Sequence, residues 1–277
     1  MIKVLKTFIT FILFTLPVVI YAQGDLLITP RRVVFEGNTR SIDLNLANTG
    51  RDTAVYAISL VQIRMTDEGA FETITEPEPG QKFADQNIRF FPRQVTLGPG
   101  ESQVVKVQLY RQNQLATGEY RSHFYFRAVE NKKPLGTEQP LSDPNAISVM
   151  LKPVFGITIP VIIRVGDIKA SVTISDLSFS MVNDTVPNIS MLFTRNGDAS
   201  IYGNLTFYHV SSSGTETKIG VANGVAVYTP NKSRRFKLNL SRIPGVDYTK
   251  GMLKVVFTSS TDIKPEKYAE AETPLGK

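Results

Sequence analysis

The sequence predicts an all-β protein built as two β-sandwich domains in tandem. Three observations lead there. Segments of strict apolar–polar alternation recur: at residues 41–48, Ile42, Leu44 and Leu46 face one way and Asp43 and Asn45 the other. Turn residues bound these segments, as at 48–50 (Asn-Thr-Gly), 98–100 (Gly-Pro-Gly) and 196–197 (Asn-Gly). No segment past the N-terminal leader carries a convincing helical period, and the chain's 277 residues suffice for two ordinary domains.

The leader comes first. Lys3 and Lys6 precede an apolar run over residues 8–20, too short for a comfortable membrane span, and Ala22 offers a small residue for cleavage. Residues 1–22 are expected to be a signal peptide, with the mature chain starting at Gln23. The formal charge of +6 falls to +4 once Lys3 and Lys6 are removed. No lysine or arginine run of the nucleic-acid-binding kind is present. Cysteine is absent, so the fold needs no disulfide and a lipid anchor is not expected.

The first domain is expected over residues 23–165. A strand opens at 26–28 and continues at 32–35; others follow at 41–48, 55–65, 88–97 (broken by Pro92), 104–109 and 120–129. Residues 131–145 form a polar, proline-rich loop with Lys132, Lys133, Pro134, Pro140 and Pro144. The second domain is expected over 166–263, with Gly166 and Asp167 as the hinge. Its strands are placed at 170–179, 188–194, 205–210, 217–221, 233–240 and 252–258, and 223–224 (Asn-Gly) and 230–231 (Pro-Asn) are read as turns. Residues 264–277 read as a polar, frayed tail.

Between the two lies the most informative stretch, residues 147–164. Its odd positions, from Ile147 through Val149, Leu151, Pro153, Phe155, Ile157, Ile159 and Val161 to Ile163, are apolar without a break. Residues two apart in an extended chain share a face. The stretch is longer than an ordinary strand, and Pro153 and Pro160 remove backbone donors. Either the row is core that crosses between the domains, or part of it is lent to another protein.

Catalytic chemistry finds no support. The two histidines, His123 and His209, sit inside strand patterns without a partner at metal-ligand spacing. No nucleophile elbow or phosphate-binding glycine loop occurs. The carboxylates Glu72, Glu76 and Glu78 read as a solvated face. No enzyme, metal or cofactor is expected.

Several segments, taken in order, resemble one family. Residues 32–37 (Arg-Val-Val-Phe-Glu-Gly) are similar to its first-strand motif. Phe91 and Pro92, the 97–101 stretch Leu-Gly-Pro-Gly-Glu, and Val105, Lys106 and Val107 are similar to its central block. Tyr120, Arg121 and Ser122, with Phe124 to Phe126, are similar to its Arg-Glu-Ser segment, and 159–164 (Ile-Pro-Val-Ile-Ile-Arg) to the end of its long strand. In the second domain, 202–206, 224–230 and 251–255 also fit. The family is the periplasmic chaperones of the chaperone–usher pilus pathway, and the resemblance covers nearly the whole mature chain.

The resemblance implies two immunoglobulin-like β-sandwich domains, a periplasmic location, and pilus or fimbrial subunits and an outer-membrane usher as partners. It also implies a mechanism. Subunits lacking their last strand expose an apolar groove and an unpaired sheet edge. The chaperone lends a strand, here with Val149, Leu151, Phe155 and Ile157 as donors, and clamps the subunit's C-terminal carboxylate. The family uses an arginine and a lysine as the clamp. Arg32 matches the arginine, but the lysine falls on Pro160, so Arg121, standing where the family has an acidic residue, is the expected replacement. A further expectation is an interdomain pair between Arg164 and Asp247. The competing reading is a secreted two-domain adhesion or structural protein in which the odd row is simply core.

Overall fold

The computed structural model describes residues 26–129, 155–260 and 265–276. The expected leader and the donor residues Val149 and Leu151 lie outside these. Among the described residues, eleven strands build the first part: β1 (Leu26–Thr29), β2 (Val33–Phe35), β3 (Ser41–Asn48), β4 (Ala54–Val61), β5 (Ile63–Met65), β6 (Phe71–Thr73), β7 (Ile88–Phe91), β8 (Gln94–Leu97), β9 (Ser102–Leu109), β10 (Gly118–Val129) and β11 (Gly156–Val165). Seven build the second: β12 (Ala170–Val182), β13 (Val186–Gly197), β14 (Ile201–Val210), β15 (Glu216–Val227), β16 (Ser233–Asn239), β17 (Met252–Ser259) and β18 (Lys267–Pro274). The protein is thus all-β, with two immunoglobulin-like sandwiches.

In the first sandwich a sheet of order β1-β3-β9-β7 faces one of order β2-β11-β10-β4-β8. The alternation of the strands places Leu44, Leu46, Val105, Val107, Phe124 and Phe126 between the sheets, all fully buried. Two expected strands are each divided between the sheets. The 26–35 segment becomes β1 and β2, and 88–97 becomes β7 and β8, with the chain crossing at Pro30 and Pro92. A proline lacks the N–H needed to continue a ladder, so the crossing falls there.

In the second sandwich β12-β13-β16 faces β15-β14-β17-β18. Its core, including Ile189, Phe193, Leu205, Phe207, Val255 and Phe257, is separate from the first. Two expectations are corrected here. Within the expected tail 264–277, residues 267–274 are not frayed: they form β18, which pairs antiparallel with β17. Tyr268 packs against Phe257 at 5.5 Å between ring centroids, and Lys254 bridges Glu216, Glu270 and Glu272 at 3.0, 3.7 and 3.9 Å. An edge strand needs only one apolar side, and outward carboxylates blunt it against stray pairing, which made it look like a tail. The expected turn at Asn223 and Gly224 is instead a bulge inside β15, where pairing slips between Gly203 and Leu205. Gly224 has φ +73° and donates its N–H to Asn204 Oδ1 at 3.1 Å. A residue with positive φ at this point bends the strand; beyond it Val225 and Val227 pack into the second core, while Ala226, and Tyr228 just past the strand's end, meet Met65 and Ile162 of the first sandwich.

Strand β11 decides the fate of the long apolar row. Ile159, Val161 and Ile163 are buried in the first core, Ile157 is partly buried against it, and Phe155 is exposed. So the core reading holds for the second half of the row. The strand pairs with β10 along its whole length, but with β2 only at Val161, Ile162 and Ile163. Among the described residues, the outer edge of β11 from Gly156 to Pro160 has no strand partner.

Candidate functional site

The site lies between the sandwiches and follows from the period of two. On β10, Phe124 and Phe126 point into the core, so Glu119, Arg121 and His123 point the other way, toward the second sandwich. The register sets Glu119 opposite Arg164, Arg121 opposite Ile162 and His123 opposite Pro160. These even positions of β11 share that outward face. Ile162 is fully buried there against Met65, Ala226 and Tyr228. Arg32 enters from the segment before β2, two residues from Val34, which packs on the same cluster.

One end of the interface is polar and closed. The carboxylate of Glu119, fully buried, accepts from the Ser200 N–H at 2.9 Å, from Thr229 Oγ1 at 3.2 Å and from the Ser200 hydroxyl. Arg164 Nε donates to it at 3.2 Å. The same guanidinium reaches Glu36 at 3.3 Å and the Ser200 carbonyl at 3.1 Å. The expected pair between Arg164 and Asp247 is therefore corrected. Asp247 accepts from Thr249 N–H at 3.0 Å and its hydroxyl at 2.6 Å, which hold its carboxyl below the usual range. The reason is distance along β14. Arg164 meets Ser200, just before β14 begins, while the Asp247 carbonyl meets His209 near its end; ten extended residues span about 30 Å.

The other end is a cavity of about 200 Å³. Arg31, Arg32 and Arg234 line it, with Tyr202, Tyr228 and Pro160; among the described residues none that lines it is acidic. Arg32 Cζ lies 4.2 Å from the Tyr202 ring centroid and 5.8 Å from that of Tyr228, a stacking geometry that suits a guanidinium. Arg121 is brought to the same ring, 4.2 Å from the Tyr228 centroid, but is itself buried and not part of the cavity wall. Its Nη2 donates to the Thr229 carbonyl at 3.1 Å. Burial lowers the pKa of Arg121; Tyr228 and Glu119 oppose the shift and Arg32 adds to it. Buried nitrogens without a hydrogen-bond partner cluster here: Arg32 Nη1, Arg121 Nε and Nη1, Arg234 Nε and His123 Nδ1. Unpaired buried donors carry a desolvation cost that an anion would relieve.

His123 also lines the cavity, edge-on to Phe71 at 6.0 Å between centroids. Burial, then the charge of Arg121, pushes its pKa down to about 3. The unfolded chain therefore takes up a proton near pH 6.5 that the folded chain refuses until about pH 3. Stability tied to this residue is present above pH 6.5 and is lost as pH falls, at about 1.4 kcal/mol per unit in that window. Urea unfolding of wild type and His123→Gln between pH 6.5 and 4 should show a shallower loss in the variant.

A short hairpin roofs the cavity. β5 and β6 pair through Arg64 opposite Glu72. Arg64 binds Glu72 and Glu78, both at 2.6 Å, so two carboxylates of the expected solvated face also brace the hairpin. The tip reaches the second sandwich: Asn231 Nδ2 donates to the Met65 carbonyl at 2.9 Å, and the Arg235 N–H to the Asp67 carbonyl at 2.6 Å.

Of the expected site residues, Arg32 and Arg121 converge, Phe155 and Ile157 lie on β11 or at its start, and Arg164 and Asp247 part. Glu119, Ser200, Tyr202, Tyr228 and Arg234 were not foreseen. Glu119 alone left a trace, since it shares the parity of Arg121.

Fold and cleft together define an all-β protein with two sandwiches and an arginine-lined cavity between them. No family model matches the chain, and no curated protein matches it. Among solved structures the chain is similar to several chaperones, one of them from a chaperone–usher pilus system. One is a chain of the CsuC–CsuE chaperone–tip adhesion subunit pre-assembly complex, from archaic chaperone–usher Csu pili of Acinetobacter baumannii. Identity is 14%, with 90% of this chain and 98% of that chain covered and a TM-score of 0.46. Another is the E. coli chaperone DraB, at 12% identity, 89% and 95% coverage and a TM-score of 0.42. A third is the Pseudomonas aeruginosa CupB2 chaperone, at 11% identity, 91% and 100% coverage and a TM-score of 0.39.

Proposed function

We propose that this protein is a periplasmic chaperone that captures pilus or fimbrial subunits lacking a strand and passes them to an outer-membrane usher. The observation that carries the reading is the outer edge of β11 from Gly156 to Pro160, which has no strand partner among the described residues and lies beside the arginine-lined cavity. An edge strand with free N–H and C=O groups can complete another protein's sheet, while alternate apolar side chains fill its groove. Phe155, half exposed, is available for that use, and Ile157 is partly buried beside it; in sequence Leu151 and Val149 share their odd parity. A subunit whose last residues pair along this edge would bring its C-terminal carboxylate toward the cavity. Arg32 is the contacting cation, and Arg121 adds positive charge from behind Tyr228. The capturing unit is the first domain, residues 23–165; the second, from residue 166, supplies the far wall.

The test is co-production in the periplasm with a secreted subunit of incomplete sandwich. A one-to-one complex that protects the subunit is expected; a subunit that is degraded or aggregates as fast as without the chaperone would sink the reading. Phe155→Asp should reduce capture about tenfold or more, because burying an aromatic side chain contributes roughly 1.5–3 kcal/mol. Its folding should be unaffected, since Phe155 is exposed.

A further inference from the structure

We propose that Arg234, from the second sandwich, is the second cationic contact of the anion site, in the place where the first sandwich has only Pro160. This rests on the reading that the cavity holds a chain-terminal carboxylate.

Pro160 lies on the cavity wall but has neither charge nor N–H to offer. Arg121 carries charge but is screened from the cavity by the ring it stacks on. Arg234 is the remaining arginine that combines wall position with an unpaired buried nitrogen, besides Arg32 itself. Its Nη1 is held by the Ala226 carbonyl at 2.5 Å, and its Cζ lies 5.6 Å from the Phe236 centroid. Those contacts orient the planar fork and leave Nε free to donate. A fork held this way loses little further freedom on meeting a carboxylate.

The hairpin supports the assignment. Gly69, at its tip with φ +84°, lies flat on the guanidinium: a Cβ there would collide with Arg234 Nε. The roof thus covers Arg234 Nε, which is buried, and a charge-assisted bond gains strength where water is excluded. A bound terminus would then be gripped by Arg32 from one sandwich and Arg234 from the other, so capture would depend on how the two are docked.

The test uses the captured subunit's C-terminal peptide, synthesised with either a free carboxylate or an amide end, in calorimetric titrations. Wild type, Arg32→Ala, Arg234→Gln and Arg234→Lys are compared. Arg234→Gln is expected to bind the carboxylate peptide about 10- to 100-fold more weakly, with amide binding unchanged. Arg234→Lys should recover part of the loss. If Arg32→Ala loses the preference for the carboxylate while Arg234→Gln retains it at the wild-type ratio, the inference is overturned and the anion site stands. An equal loss for both peptides in Arg234→Gln would mark a structural role and also overturn it. If neither variant alters the preference, the carboxylate reading of the cavity fails, and the assignment of Arg234 with it.

Discussion

Replacing Arg32 with alanine is expected to abolish capture of a subunit that ends in a free carboxylate. The guanidinium is stacked at 4.2 Å on Tyr202, and its Nη1 is buried with no hydrogen-bond partner. It therefore enters the complex already oriented and partly stripped of water. A hydrogen bond to a charged group contributes up to about 3 kcal/mol, or roughly 100-fold in affinity. Arg121→Ala should weaken capture only severalfold, since its charge acts from behind Tyr228. Arg32→Lys should fall between wild type and Arg32→Ala, because an ammonium keeps the charge but loses the bidentate fork. The measurement is the amount of subunit held in a one-to-one complex from the periplasm. Wild-type capture by Arg32→Ala would remove the anchor from the mechanism.

The second large effect is on stability. Glu119→Ala should cost about 3 kcal/mol, the scale for removing one member of a buried ion pair. The loss would strand the Ser200 N–H and the Thr229 hydroxyl, and it would leave Arg164 with Glu36 as its carboxylate partner. All of these are interface groups, so the two sandwiches should also uncouple. Denaturant unfolding should show a lower midpoint for the variant, with the transition broadened or split. Arg164→Ala should destabilise as well, because it leaves the fully buried Glu119 carboxylate without the guanidinium that pairs with it, held only by Ser200 and Thr229. A Glu119→Ala protein within about 1 kcal/mol of wild type, well under the buried-pair scale, would show that the carboxylate is no latch.

Much of this architecture was legible in the chain because β structure writes itself locally. Alternation at 41–48 and the turn at 98–100 are properties of neighbouring residues, and both appear where expected. The shared parity of Ile159, Val161 and Ile163 was legible too, but that this part of the row is core was left open by the sequence. The errors have a common physical form. β18 was missed because an edge strand with Glu270 and Glu272 facing solvent carries half the apolar signal of an inner one. Asn223 and Gly224 suit a turn and a bulge equally, and only pairing across β14 tells them apart.

The site divides along the same line. Parity alone determined that Glu119, Arg121 and His123 share a face, and that this face is not the one of Phe124 and Phe126. Parity is a consequence of extended backbone geometry and needs no partner. What that face meets was decided by the docking of the sandwiches. Glu119 bonds a serine 81 positions away, and Asn231 a carbonyl 166 positions away. Contacts at such separations depend on the bulge at Gly224, the reach of the β5–β6 hairpin and the bend at Gly166, none of which any single segment encodes. The sequence therefore does not place Arg164 beside Ser200, about 30 Å along β14 from Asp247, or Arg234 on the cavity wall. The residues that form the cleft carry their chemistry in the sequence; the surface they share exists only once both sandwiches have folded and met.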